Sequence, residues 1–148
     1  MVQAFSFTVK DVCCALDGVS RSRVHAWTRL RPFSLMQTSE RSARRFNVTD
    51  MLTLAALQKL EDVYGIKSSH LGHFSEGIHR YLSQPNAIAG GEYVFVRMND
   101  GVARNLESLS VYESGLILDI AEERERINIY LGIAPPQREL ALVASVQG

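Results

Sequence analysis

TVKDVCCALDGVSRSRVHAWTRL, residues 8–30, holds two short helical patterns with one glycine between them. Val9, Val12, Cys13 and Leu16 recur at i, i+3, i+4 and i+7, the spacing that lines one side of an α-helix, and Thr8 stands at the N-cap position. Gly18 ends that pattern. Ser20 then caps a second helix, which Pro32 stops because proline has no N–H to continue the ladder. Helix, short glycine-containing turn and helix make a helix-turn-helix.

At about 100° per residue, Val24 and Trp27 share one side of the second helix and form its buried stripe. Ser22, His25, Ala26 and Arg29 lie opposite, with Arg21 and Arg23 on the flanks. A face that is small, polar and cationic suits a helix entering the major groove of duplex DNA. Residues 31–47, RPFSLMQTSERSARRFN, have no helical period, and two extended arms around QTSERS are expected to form a wing. RSARRFN, from the end of that turn into the second arm, carries Arg41, Arg44 and Arg45, placed to neutralise phosphates. Charge supports this division: residues 1–48 contain eight basic and three acidic residues, and residues 49–148 contain eight and thirteen. The first third of the chain is therefore the part suited to a polyanion.

Asn47 or Thr49 can cap a third helix carrying Leu52, Ala55, Ala56, Leu60 and Val63 and closed by Gly65. A fourth is expected over Ser69–Leu82, with Leu71, Phe74, Ile78 and Leu82 as its stripe. Beyond a turn-forming linker, Tyr93–Val96 and Val102–Leu106 flank Asn99-Asp100-Gly101, a hairpin signal. GLILDIAEERERINIYL reads as a strand at Leu116–Leu118 followed by a helix over Ala121–Leu131, in preference to one long helix, and the EERER run reads as charge pairs on an exposed face. The expected fold class is α+β: a mainly α winged helix-turn-helix over 1–83, a linker over 84–91, and a small α/β unit with a β-hairpin over 92–148.

Three pieces, in order, resemble the winged helix-turn-helix domain of the MerR family of bacterial transcription regulators. FTVKDVCCALDGVSRSRVHAW is similar to the opening helix, turn and recognition helix; ARRFN to the Arg-Arg-Tyr wing motif; VTDMLTLAALQKLEDVYGIKSSHL to the following helix pair. The resemblance covers about the first eighty residues and implies that Ser20, Arg21, Arg23 and His25 approach DNA from the recognition helix. By the same likeness Arg44 and Arg45 contact phosphates, and Phe46 packs the wing onto the helices. Family members act as dimers on near-palindromic promoters. The chain departs from the family in lacking the long heptad helix that usually follows, in having no wing glycine, and in placing Cys13 and Cys14 inside the first helix. Those departures speak against heavy-metal sensing and favour a phage- or mobile-element-type repressor with its own C-terminal module.

Other classes find less support. No apolar run reaches the roughly 18–20 residues of a membrane span, and two adjacent cysteines fit a reducing compartment, so a cytoplasmic protein without a membrane partner is expected. There is no glycine-rich phosphate loop and no nucleophile elbow, so neither enzymatic activity nor a cofactor is expected. His70, His73, Glu76 and His79 recur at three-residue steps, which would let a pair and Glu76 share a metal ion; the alternative is a polar helix face. The expectation is a dimeric, sequence-specific regulator of double-stranded DNA, with RNA polymerase or another protein as a further partner. A recombination-directionality or architectural DNA-bending protein, and a metal-dependent enzyme on the histidine cluster, are the alternatives.

Overall fold

The computed structural model describes residues 6–36, 44–84, 92–106 and 113–132. Thr8 opens α1 (Val9–Ala15) with a reciprocal capping box: its Oγ1 accepts from the Asp11 N–H at 3.2 Å, and Asp11 Oδ2 accepts from the Thr8 N–H at 2.8 Å. Asp17 (φ 60°) and Gly18 (φ 77°) then turn the chain through the left-handed region, which glycine enters without steric penalty. Ser20 caps α2 (Arg21–Thr28), and Asn47 forms a second capping box with Asp50 at the start of α3 (Val48–Asp62).

Every residue of α3 from Asp50 to Leu57 is buried. A helix apolar on all sides must be surrounded, and α3 is packed by α2, by α4 (Gly72–Leu82) and by α5 (Ile120–Leu131). The strands β1 (Tyr93–Arg97), β2 (Ala103–Asn105) and β3 (Gly115–Asp119) form an antiparallel sheet in the order β2-β1-β3. Val94 and Val96, facing Leu118 and Leu116 across the β1–β3 pair, turn toward the helices. One hydrophobic cluster runs from Phe7 and Val12 through Trp27 and Leu54 to Val94, Leu118 and Ile127. The fold is mixed helix and sheet of the α+β kind.

Several boundaries differ from those read in the sequence. The second helix ends at Thr28, with Arg29 as C-cap. The fourth begins at Gly72, because Ser68–His70 form a separate 3-10 turn. Strand followed by helix is the arrangement of 115–131, with Asp119 Oδ1 accepting from the Glu122 N–H at 3.1 Å to cap α5. The two extended arms expected around residues 37–42 are not paired with each other in the described part. Phe33–Leu35 form a 3-10 turn instead, and Phe46 bridges to Phe7 through two backbone hydrogen bonds of 2.7 and 2.8 Å. The QTSERS turn, Arg41, linker residues 85–91, Pro135-Pro136 and the C-terminal segment lie outside the described residues.

Candidate nucleic-acid interface

The orientation of α2 is set by its apolar side. Val24 is fully buried and Trp27 is 2% exposed, and Trp27 Nε1 donates to Glu61 Oε1 of α3 at 2.8 Å. A buried indole N–H needs such an acceptor, so the ring can sit in only one way. Arg21, Ser22, His25, Ala26 and Arg29 consequently face solvent. Ser20 is also exposed, but its Oγ accepts from the Arg23 N–H at 3.2 Å as the helix cap.

Arg23 leaves the group of solvent-facing cations. Its guanidinium grips Asp62 at 3.2 and 2.5 Å, lies 3.4 Å from Glu61, and stands 5.0 Å from the centre of the Trp27 ring. The Asp62 hydrogen bond raises its pKa above the already high ordinary value. Arg23 thus ties α2 to the end of α3, a role for which its planar fork is well shaped.

The two wing arginines also separate. Successive side chains in extended backbone point to opposite sides, and Arg44 and Arg45 follow that rule. Arg44 Nη1 donates to the Phe33 carbonyl at 3.0 Å, pinning the segment before α3 to the 3-10 turn that follows α2. Arg45 is exposed, with Nε donating to Ser6 Oγ at 2.9 Å on the α1 side. The two arginines expected to hold phosphates together are therefore directed to different neighbours. Phe46, 1% exposed, packs edge-on to Phe33 with ring centres 6.4 Å apart.

The histidines do not converge on one point. His73 Nε2 lies 2.8 Å from the Met98 carbonyl, Glu76 pairs with Arg80, and His79 Nε2 lies 2.8 Å from Asp50 Oδ1 while its ring packs edge-on to Phe33. Among the described residues no group of three potential ligands is arranged to hold a metal ion. Cys13 is half-buried and Cys14 exposed, both as thiols.

The EERER run makes the expected i, i+3 pair, Glu123 with Arg126, but departs from the expected exposed face. Glu123 is 3% exposed and pairs with Arg126 at 3.0 Å and Lys59 at 3.6 Å; Arg126 reaches Asp17 and Gln58, and Arg124 reaches Glu92. These charges join α5 to α1, α3 and β1 rather than forming a solvated face. Asp50 and His79 were not singled out as a pair in the sequence, although Asp50 stands at the N3 position where a capping box places an acid.

Among the described residues no helix is long and apolar enough to cross a membrane. No protein-family model, curated protein or solved structure matches the chain.

Proposed function

We propose that the protein is a sequence-specific, double-stranded-DNA-binding transcription regulator that acts as a dimer. One observation carries the reading: α2 buries Val24, Trp27 and Thr28 and leaves Arg21, Ser22, His25, Ala26 and Arg29 on a continuous exposed face. That side is narrow, with Ser22, His25 and Ala26 at its centre and arginines at both ends. A helix of about 10–12 Å diameter with such a face fits the major groove, where arginine can contact guanine or phosphate and serine or histidine can meet base edges. Arg45 at the wing root supplies a further exposed cation.

Anisotropy of a labelled duplex, selected from random DNA and titrated at several salt concentrations, tests the proposal. Arg29→Ala should relax sequence preference. Arg45→Ala should weaken specific and random duplexes alike and lower the salt slope by about one for each phosphate that a subunit no longer neutralises. Arg23→Ala serves as the control: it should lower stability by about 1 kcal/mol through removal of the Asp62 pair and the Trp27 stacking, with little effect on the slope. Failure to bind any duplex at low salt, or equal effects of Arg23→Ala and Arg29→Ala on affinity, would remove the proposal. Inverted half-sites about one helical turn apart are the expected product of the selection.

A further inference from the structure

Ile66, Phe74 and Met98 form the apolar part of a cavity of about 370 Å³, and Ser69, His70 and His73 complete its lining. It lies where the 3-10 turn at Ser68–His70, the first turn of α4 and the end of β1 come together. Part of the wall is rigid. Phe74 is 3% exposed, the His73 ring packs edge-on against it with centres 4.9 Å apart, and His73 Nε2 is 2.8 Å from the Met98 carbonyl. A carbonyl can only accept, so Nε2 donates there. The Met98 side chain, 41% exposed, is the adaptable wall, since an unbranched thioether reshapes at little energetic expense.

The chemistry of the lining selects a ligand class. A volume near the lower end of the usual range for ligand pockets admits one ring with a short substituent. Ile66 and Met98 offer apolar surface to such a ring, with the buried Phe74 beneath them. The polar groups are one hydroxyl and two imidazoles; the Ser69 hydroxyl and one ring N–H of His70 can donate, the His73 Nε2–H being given to the Met98 carbonyl, and no carboxylate lines the cavity. Two acids beside the end of β1 are already matched: Arg97 pairs with Asp100 at 2.5 Å and with Glu113 at 3.1 Å. An ammonium group would find no carboxylate in the lining, whereas a carboxylate would find the Ser69 and His70 donors. We propose that this cavity is a binding site for a small aromatic monocarboxylate, its ring against Ile66 and Met98 and its carboxylate toward Ser69 and His70.

The probe is para-fluorobenzoate, titrated into the full chain and followed by fluorine NMR of the ligand, with para-fluorobenzamide as the uncharged counterpart. Saturable binding with a Kd of about 0.1–1 mM is expected for the acid, and at least about ten-fold weaker binding for the amide. Met98→Glu changes an exposed side chain and puts a carboxylate into the lining; it should weaken the acid by at least about ten-fold while the far-ultraviolet circular dichroism stays that of the parent. His70→Asp, also at an exposed position, should act in the same direction. No saturation by about 10 mM, equal affinity for acid and amide, or undiminished binding to a folded Met98→Glu variant would each overturn the proposal. Binding is read on the protein without DNA, so a negative result here leaves the DNA-binding reading standing, and the reverse also holds.

Discussion

Arg23 stands one turn and a half before Arg29 on α2, and its surroundings differ because the end of α3 brings Glu61 and Asp62 beneath it. Sequence distance hid the encounter: thirty-nine positions separate Arg23 from Asp62. A residue-level test is available at another such meeting of distant side chains. Tyr130 of α5 donates to Asp11 Oδ1 at 2.7 Å, and this bond pushes the phenol up to about 12. Asp11 is held below its ordinary 3.8, first by the Thr8 N–H and next by Tyr130. The tyrosine's raised value means that its contribution to stability is complete below the unfolded pKa near 10 and fades as pH rises through about 12. For Asp11 the depressed value means a contribution present above 3.8 and lost as pH falls through its folded pKa. In Tyr130→Phe the Asp11 carboxyl should titrate at higher pH than in the parent, yet still below 3.8 because Thr8 remains; carbon-detected NMR titration of the carboxyl resonances measures it. An unmoved Asp11 midpoint would mean that the Tyr130 hydrogen bond does not form in solution.

Between elements, the tightest approach is that of α4 to the β1–β2 turn, where backbone lies against backbone. A Cβ placed on Gly77 would stand 2.0 Å from the Gly101 carbonyl oxygen, and one on Gly101 would stand 2.0 Å from the His73 carbonyl oxygen. Neither neighbour is a flexible side chain that could move aside. Gly77→Ala should therefore destabilise by about 2–3 kcal/mol, as overpacking of rigid surfaces does. Gly101→Ala should cost about 1 kcal/mol more, because its φ of +72° adds left-handed strain. Gly65→Ala is the comparison, with φ +70° but nothing within 4 Å, and should cost only about 1 kcal/mol. Urea unfolding ranks the three; a Gly77→Ala variant within about 0.5 kcal/mol of the parent would show that the helix and the turn do not touch. The hairpin itself was readable from Asn99-Asp100-Gly101, but its dependence on Gly77 was not, since that glycine lies in another element. A similar approach occupies the outer edge of the sheet. Hydrogen bonds from Met98 N–H to Ser114 and from Ile120 N–H to Glu92 place the even-numbered residues of β3 toward β1, so the Ile117 carbonyl points outward, where the Tyr64 hydroxyl donates to it. Strand-to-strand pairing of two copies through β3 would have to displace that tyrosine.

Across the whole molecule, the apolar cluster passes from the helices into the sheet without a break, and α5 adds polar ties to both sides of it. Arg126 reaches Asp17 and Gln58, Lys59 reaches Glu122 and Glu123, and Arg124 reaches Glu92. The sequence reading divides the chain at residues 84–91, where the composition turns to small and turn-forming residues. A shared core of this kind predicts that the parts on either side of that segment unfold together. Trp27 fluorescence, reporting on the packing of α2 against α3, and far-ultraviolet circular dichroism, reporting on all elements, should give coincident denaturation curves. Two separated transitions would mean that the parts either side of residues 84–91 are independently stable.

By itself the amino-acid order determined where α1, α2 and α3 start, the apolar side of α2, and the turn between β1 and β2. Capping boxes at Thr8/Asp11 and Asn47/Asp50, the Val24/Trp27 stripe and the hairpin signal act within a few residues, so their physics is contained in a short window. Tertiary structure alone decided which charges face water. Arg23, Arg44, Glu123 and Arg126 look in sequence like Arg29 or Glu122, and they differ because distant elements bring an acid, a base or a carbonyl within hydrogen-bond reach. An ionic group turns inward only where such a partner offsets its desolvation, and that partner is chosen by the fold rather than by neighbours in the chain.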